Sequence, residues 1–365
     1  MRSSVLSRRR FLALSSGLAA TPLLGGFSSS LWAAQPASDS MSGMAGMIET
    51  ADNTKGGVAD TSSLRLPEPF KLKLAINQNA ICIAPVTVAQ QQNLFSKYNL
   101  DVEFVNFGNS TDVLLQAIAT GKADAGIGMA LRWLKALEQG FDVKLTAGTH
   151  GGCLSLLTTA NSPYTSLSSL KGQSIGVTDM AGPDKNFFAI LLKNHGVDPI
   201  TDVQWKVYPA DLMTRALDNG EIAAISGSEP FSTRMLDTGK YKLLASNMSG
   251  EYANLSCCVI GVSGTLARKH KAAAAALTQS LLDAHSFAAK NPQKVGTEFM
   301  AHALNTTPQE VSAILMSESH DHHAVGEVFV NELTRYVTDL QRVQVISASV
   351  NPHQFSESIY ANVFA

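Results

Sequence analysis

From Phe70 onward the chain alternates short apolar segments with longer amphipathic ones. Residues 70–77 (Phe-Lys-Leu-Lys-Leu-Ala-Ile-Asn) alternate with a period of two, which predicts a strand. A helix is predicted at 83–98, and the same order continues with strands at 101–107 and 123–128 and helices at 112–120 and 131–139. Strands at 143–147 and 154–159 close this first unit. The short connections predict parallel strands, right-handed crossovers and helices on both faces of a sheet.

A second unit of the same kind follows the turn-rich residues 161–164. Strands are predicted at 174–178, 204–208 and 223–226, with helices at 184–195 and 211–218. A further strand at 255–262 leads into a mainly helical tail, with segments at 271–290, 292–303, 308–316, 327–341 and 354–362. A tail without new strands packs most simply on the first unit.

These two units predict an α/β protein of two lobes with a ligand cleft between them. The first lobe is discontinuous and comprises residues 70–160 and 255–365, and the second comprises residues 161–254. The crossings between the lobes would form a hinge.

The amino terminus has the order of an export signal. Ser7-Arg8-Arg9-Arg10-Phe11-Leu12 precedes an apolar, small-residue run over 13–27, which is typical of a twin-arginine signal peptide. The run is shorter than the roughly 20 residues that a membrane-spanning helix needs. We therefore expect residues 1–34 to be a signal peptide that directs the protein to the periplasm. A cytosolic protein with a fortuitous basic start is the alternative.

Residues 35–69 are rich in Ser, Gly, Met and Asp and have no sustained period, which indicates a disordered linker. Met41, Met44 and Met47 are soft donors that suit copper. Without a packed scaffold or neighbouring histidines, the linker interpretation is favoured.

Charge and cysteine content exclude several classes of protein. The 28 Lys and Arg residues against 30 Asp and Glu give no basic field for nucleic acid, and removal of residues 1–34 takes away four arginines and no acid, which leaves a net charge of −6. Four cysteines with no C-x-x-C pair do not suggest a disulfide framework or a zinc ribbon. Motifs typical of a nucleophile elbow, a Walker loop, a dinucleotide fingerprint or an H-E-x-x-H zinc helix are absent from the sequence.

Several segments carry a family resemblance. They are the loop Ala75-Ile-Asn-Gln-Asn79, the stretch from Phe107 to Gly128, the stretch from Leu170 to Thr178 followed by Gly182 and residues 187–193, and the turn Ala224-Ile-Ser-Gly-Ser-Glu-Pro-Phe231. In order and spacing they resemble the periplasmic substrate-binding proteins of ABC importers for nitrate, sulfonate and taurine. That family includes relatives that bind pyrimidine precursors of thiamine.

The resemblance implies the two-domain, type II-like periplasmic binding protein fold. It also implies a small nitrogen- or sulfur-containing organic ligand or anion, an ABC permease in the inner membrane as partner, a monomer, and no cofactor, metal or catalysis. The alternatives are a metal- or His/Cys-dependent enzyme on the same scaffold, related to pyrimidine-precursor synthases, and a sensor that presents its ligand to a receptor.

Candidate ligand residues follow the predicted strand ends, where the loops of such lobes face the cleft. Asn109, Ser110 and Thr111 are equally suited to ligand donation and to simple helix capping. The full set is Asn79, Cys82, Asn109, Ser110, Thr111, Met129, His150, Gly152, Cys153, Asp179, Ala181, Asp184 and Glu229.

The start of the helix at 184–195 departs from what an anion site prefers. Pro183 removes a backbone donor, and Asp184 itself occupies the positive end of the helix dipole. A neutral or partly cationic ligand, such as a nitrogen heterocycle, is therefore more plausible than sulfonate or nitrate.

His150 and Cys153 flank two glycines that permit close approach of the backbone. The pair suits a metal, a Cys–His nucleophile or a ligand hydrogen bond, and equally a structural histidine beside a buried cysteine. Cys82 is placed to face the same cleft. Cys257 and Cys258 are adjacent on a predicted strand and are expected to point to opposite faces.

Two further groups leave alternatives open. Glu229 is a candidate acceptor for a ligand N–H, with Phe231 as a stacking wall, or else a surface acid near the hinge. His320, His322 and His323 carry enough donors for a transition metal, but adjacent residues rarely converge on one ion, which favours a solvated loop.

Overall fold

The computed structural model describes residues 61–77, 80–107, 111–300 and 306–365. The expected signal peptide and most of the expected linker lie outside the described residues. Residues 61–69 contradict the linker expectation, because the Leu66 side chain is buried and Arg65 Nη1 donates to the carbonyls of Ser96 and Lys97 at 2.9 and 2.7 Å. The buried leucine and the guanidinium fork fix this segment to the body.

The strands of the described residues form two five-stranded sheets. Their bounds are β1 Phe70–Ile76, β2 Leu100–Asn106, β3 Ala125–Met129, β4 Val143–His150, β5 Leu154–Thr159, β6 Ser174–Val177, β7 Gln204–Val207, β8 Ala224–Ser228, β9 Tyr241–Ser246 and β10 Cys258–Ser263. The first sheet has the order β2-β1-β3-β10-β4, and the second has the order β7-β6-β8-β5-β9. Each sheet is the centre of one lobe.

The placement of β5 corrects the predicted division of the chain. Leu154–Thr159 was expected in the first lobe, but β5 pairs with β8 and β9 in the second sheet. The chain therefore changes sheets directly after His150, before β5 rather than after it. The strand β9 was not predicted at all.

The expectation of parallel strands holds only in part. β1 runs parallel to β2 and β3, and β6 runs parallel to β7 and β8. β10 is antiparallel to β3 and β4, and β5 is antiparallel to β8 and β9. β5 and β10 are the strands by which the chain enters one lobe from the other, so no helical crossover within that lobe sets their direction.

Helices cover these sheets, and most lie close to the predicted positions. Their bounds are α1 Ala84–Gln91, α2 Leu94–Lys97, α3 Thr111–Ala119, α4 Ala130–Glu138, α5 Pro183–Asn194, α6 Ala210–Asp218, α7 Phe231–Asp237, α8 Gly264–Lys269, α9 Lys271–Lys290, α10 Pro292–Phe299, α11 Pro308–Ser317, α12 Gly326–Arg342 and α13 Pro352–Ile359. The helix expected at 83–98 is divided into α1 and α2, and α7 and α8 were not predicted. Among the described residues, none of these helices combines the length and the apolar character needed to cross a bilayer.

The helical tail packs on the first lobe, as expected. α9 contacts β4 and α1, and α13 contacts β4. α12 contacts α4 and also α5 of the second lobe. The tail therefore backs both lobes at the side where they join.

The chain crosses between the sheets twice, at residues 151–153 and at residues 247–257. The Asn247 amide ties the two crossings together: Oδ1 accepts from the Leu154 N–H at 2.8 Å, and Nδ2 donates to the Gly152 carbonyl at 2.8 Å. Gly152 and Cys153 have φ of 101° and 82°, so the first crossing turns through the left-handed region. A cysteine in that conformation is uncommon and is held by its surroundings.

Trp133 anchors the core of the first lobe. Its side chain is fully buried and lies against Gly128 of β3 and Gly261 of β10. A Cβ at Gly261 would lie 2.6 Å from Trp133 Cζ3, well inside contact distance. These two strands therefore need glycine so that the indole can lie flat on the sheet.

We predict that Gly261→Ala lowers the free energy of unfolding by about 1–3 kcal/mol, because the new methyl group overlaps a rigid, buried ring. Urea unfolding followed by circular dichroism measures the loss. In the Gly261→Ala/Trp133→Phe double variant the smaller ring should relieve the overlap, so the two substitutions should be less than additive. Strictly additive losses would contradict this account.

Candidate functional site

A cavity of about 590 Å³ lies where the strands of the two sheets end. Asn77 follows β1, Met129 ends β3, Thr178 follows β6 and Ser228 ends β8, so both lobes contribute to the cavity. Its lining comprises Asn77, Ala80, Cys82, Met129, Arg132, Cys153, Thr178, Asp179, Gly182, Pro183, Asp184, Ser228, Glu229 and Glu318. This is the edge at which α/β lobes of this kind hold ligands.

Six of the thirteen predicted site residues line this cavity together: Cys82, Met129, Cys153, Asp179, Asp184 and Glu229. His150 and Gly152 are buried behind it, and Ala181 lines a neighbouring cavity between α3, α4 and α5 that shares Arg132 with the first. Asn79, Asn109 and Ser110 lie outside the described residues. Thr111 begins α3, and its side chain also lies outside what the structure describes.

Asp184 occupies the amino-terminal turn of α5, as the sequence predicted. The side chain is buried, and its Oδ2 accepts a hydrogen bond from Ser226 Oγ at 2.9 Å. Burial raises the pKa of this carboxyl group, and the bond from Ser226 opposes the shift. The end of the helix that would attract a bound oxyanion is therefore filled by the protein's own acid.

Glu229 connects the cavity wall to the first crossing. Its backbone N–H donates to the Cys153 carbonyl at 3.0 Å, and its Oε2 accepts from the Thr233 N–H at 3.1 Å. Burial raises the pKa of Glu229. Phe231, expected as a stacking wall, is absent from the cavity lining and packs instead on the apolar core between β8 and the helices of the second lobe.

Arg132 was not predicted as a site residue. It lies in the first turn of α4, and its Nη1 is 2.7 Å from Asp179 Oδ2, which follows β6 in the second lobe. Its Nε also donates to Asp112 Oδ1 at 2.6 Å. One guanidinium thus joins acids of both lobes across the cavity.

The charges of the cavity lining are predominantly acidic. Among the lining residues that the structure describes, Asp179, Asp184, Glu229 and Glu318 are acidic and Arg132 alone is basic, and Arg132 is paired with the carboxylates of Asp112 and Asp179. Such a lining accepts hydrogen bonds from N–H groups and disfavours anions.

Behind the cavity the four cysteines of the chain converge. Cys153 Sγ lies 3.0 Å from Cys257 Sγ, and the sulfur atoms of Cys153, Cys257 and Cys258 all lie within 4.8 Å of one another. The expectation that Cys257 and Cys258 point to opposite faces is therefore wrong. β10 begins only at Cys258, and its pairing with β4 is irregular there, so the alternation of a regular strand does not apply.

His150 is fully buried and adjoins this cluster. Its Nδ1 lies 3.8 Å from Glu318 Oε2, and one of its ring nitrogens lies within 4.8 Å of Cys82 and Cys258. Burial disfavours the charged ring, but Glu318 and then Cys82 outweigh it and raise the pKa of His150 to about 10. Burial raises the pKa of Glu318 to about 7. Glu318 lies far along the chain, in the helical tail, and was not predicted.

The histidines of the tail are not a solvated loop. His320 and His323 are buried, and His320 lies between His285, at 2.9 Å between Nδ1 atoms, and Glu318, at 2.9 Å from its Nε2 to Oε2. His322 is partly buried, and its Nε2 lies 2.7 Å from Glu332 Oε1. Burial lowers the pKa of His285, His320 and His323, the last to about 4.

Comparisons with known proteins agree with this architecture. The family model described as NMT1/THI5 like matches residues 81–295, more than half of the chain. The chain belongs to the NMT1/THI5-like family. This confirms the resemblance to substrate-binding proteins of the nitrate, sulfonate and taurine type. A comparison with curated protein sequences gave no significant match.

Solved structures similar to this NMT1/THI5-like protein have the same fold. The periplasmic aliphatic sulphonate binding protein SsuA from Escherichia coli has a TM-score of 0.66 at 15% identity, with 79% of this chain and 92% of that chain covered. The alkanesulfonate-binding protein SsuA from Xanthomonas axonopodis pv. citri, bound to MOPS, gives 0.62 at 16%, over 80% and 99%. The periplasmic nitrate-binding protein NrtA from Synechocystis PCC 6803 gives 0.63 at 14%, over 82% and 88%.

We predict that the stability of this NMT1/THI5-like protein falls in acid through its buried histidines. The folded pKa of His323 is lowered to about 4 by burial, whereas a histidine in the unfolded chain titrates near about 6.5. The unfolded state then binds a proton that the folded state excludes. The exclusion of this proton contributes roughly 3 kcal/mol to the free energy of unfolding above pH 6.5. The contribution is lost as the pH falls through about 4.

Urea unfolding of the wild type and of His323→Gln at pH 7 and pH 4.5 tests this prediction. The substitution removes the titrating group, so the free energy of unfolding should depend less on pH than in the wild type. The exposed His353, replaced by Gln, is the matched control and should behave as the wild type. Parallel pH profiles for wild type and His323→Gln would contradict the assignment. Since Glu318 and His150 titrate in both proteins, their contributions cancel in the comparison.

Proposed function

We propose that this protein is the solute-binding component of an ABC importer. It closes its two lobes on one small ligand and delivers that ligand to a permease in the inner membrane. The observation that supports this most directly is the cavity of about 590 Å³ built from strand ends of both lobes. That volume is typical of sites for small molecules.

The proposed location is the periplasm, with residues 1–34 as a twin-arginine signal peptide. The order of arginines, apolar run and small residues at the amino terminus supports this route. The similar structures described as periplasmic agree with the location and say nothing of the export route. The proposed role is binding without catalysis, by one copy of the chain.

The proposed ligand is a neutral or cationic compound that carries N–H groups, such as an amine or a nitrogen heterocycle. Asp184 fills the amino-terminal end of α5, where an oxyanion would bind. Glu229 stands in the cavity wall as an acceptor, and Asp179 and Glu318 add negative charge. The ligands named for the sulfonate- and nitrate-binding proteins would meet repulsion here.

A thermal-denaturation screen of the mature protein tests the proposal. The compounds added are amines, pyrimidines, alkanesulfonates, nitrate and bicarbonate, and a chelator is present throughout. Nitrogenous compounds should raise the melting temperature through ligand linkage, and the anions should not. Stabilisation by sulfonates or nitrate alone would overturn the ligand class and leave the receptor role intact. No stabilisation by any compound would overturn both.

For a ligand found in this way, Glu229→Gln should weaken binding by on the order of tenfold or more in isothermal titration calorimetry. The substitution removes the charge from the acceptor of a ligand N–H, and hydrogen bonds to charged groups contribute about 1.5–3 kcal/mol. The exposed Glu327, replaced by Gln, is the control and should bind as the wild type. Equal affinity in both variants would remove Glu229 from the ligand site.

A further inference from the structure

The convergence of the cysteines brings together parts of the chain that are distant in sequence. Cys153 lies in the first crossing between the lobes, Cys257 ends the second, and Cys258 begins β10. Their sulfur atoms lie within 4.8 Å of one another, at 3.0 Å for Cys153 and Cys257, and all three residues are buried. These cysteines are free thiols. Three thiols from two segments of the chain at such distances form a soft donor set.

The surroundings of this donor set contain polar atoms with unmet hydrogen-bonding capacity. His150 Nε2 and Glu318 Oε1 are buried and make no hydrogen bond of normal geometry within the described residues. Buried polar atoms of this kind are rare in folded proteins, and each calls for an explanation. His150 adjoins Cys258 of the donor set, and Glu318 adjoins His150, so both atoms lie at the edge of the cluster.

Two methionines add to the softness of the site. Met129 lies opposite Cys258 in the antiparallel pairing of β3 and β10, and the Met248 side chain packs on Gly152, next to Cys153. Thiolate and thioether sulfurs select thiophilic ions such as Cu(I). Structural Zn(II) almost always takes four ligands, and this set offers three thiols.

We propose that Cys153, Cys257 and Cys258 bind one Cu(I) ion as thiolates, with Cys82 and His150 outside the ligand set. Three sulfur–copper bonds form and the thiol protons are released to solvent, while copper stays in the Cu(I) state. His150 lies beside the cluster, with one ring nitrogen within 4.8 Å of the Cys258 sulfur. The site adjoins the proposed ligand cavity through Cys153 but goes beyond the proposed function and does not depend on it.

A bound ion would cross-link the two crossings, because Cys153 belongs to the first and Cys257 to the second. Copper binding should therefore raise the melting temperature of the reduced protein, since it favours the folded state by mass action. The effect should be independent of any ligand in the cavity.

The experiment is an anaerobic titration of the reduced mature protein with Cu(I), in competition with bathocuproine disulfonate. We expect one Cu(I) per chain, bound against the chelator, and X-ray absorption showing three sulfur neighbours and no nitrogen. Absence of bound copper, or nitrogen among the atoms bound to copper, would overturn the proposal. Tighter binding of Zn(II) than of Cu(I) would overturn the choice of ion.

Serine variants assign the ligands. Cys153→Ser, Cys257→Ser and Cys258→Ser should each weaken Cu(I) binding at least a hundredfold, more than is usual for the loss of a group outside the ligand set. Cys82→Ser is the matched control and should change the affinity less than tenfold. Loss of binding in Cys82→Ser with retention in Cys153→Ser would contradict the ligand set and favour the neighbouring group of Cys82, His150 and Cys258.

Two controls separate this proposal from folding and from the cavity. Circular dichroism of each metal-free variant shows whether the fold is retained, and X-ray absorption of the wild type decides the ligand set even where a variant does not fold. Thiols of Cys153, Cys257 and Cys258 that react with a thiol reagent as readily after Cu(I) is added as before would also overturn the site. The ligand screen is done with chelator present, so its outcome is separate from that of the copper titration.

Discussion

The Asn247 amide holds together the two passages of the chain between the sheets, and most features of the site follow from that constraint. It pairs with backbone groups on both sides of Cys153. The first passage is thereby kept to three residues, turned through positive φ at Gly152 and Cys153. With the passages fixed in this way, the end of β4 and the start of β10 must meet, which brings His150 and the cysteines to one buried point.

Burial then decides which groups near that point carry charge. Three histidine rings lie close together, with ring centroids of His150 and His320 4.8 Å apart and those of His285 and His320 5.2 Å apart. Protonating all three rings in a buried space would cost more desolvation free energy than their ion pairs and hydrogen bonds supply. Glu318 favours a charged His150, and burial keeps the pKa of the other two low. The same carboxyl group reaches the ligand cavity, so the cluster and the cavity share one acid.

Local patterns in the sequence predicted the elements better than their assembly. The helix at 271–290 was predicted with its observed bounds, because a run of alanine and leucine with few interruptions favours a helix whatever surrounds it. The strand at 154–159 was also predicted, but its sheet was not, since membership depends on partners that are 70 to 90 residues away. The half-exposed β9, Tyr-Lys-Leu-Leu-Ala-Ser, is short and lacks strict alternation, so its pattern was too weak to recognise.

The site residues divide in the same way. Asp184 and Glu229 follow predicted strands directly, so their places at the cavity could be predicted from order alone. Arg132 and Glu318 come from helical segments whose orientation only the tertiary structure fixes. Histidines 320 and 323 looked exposed in the sequence because their neighbours are polar, whereas the tail packs the loop against His285.

The contact of Arg132 with Asp179 has a further consequence for the ligand-free protein. It joins the lobes at the mouth of the cavity, and Asp179 is about half exposed, with 48% of its side-chain surface accessible. Partly exposed ion pairs weaken as salt is added. Added salt should therefore weaken this link between the lobes, but less than it would weaken a fully exposed pair, because the Arg132 side chain is only 11% accessible.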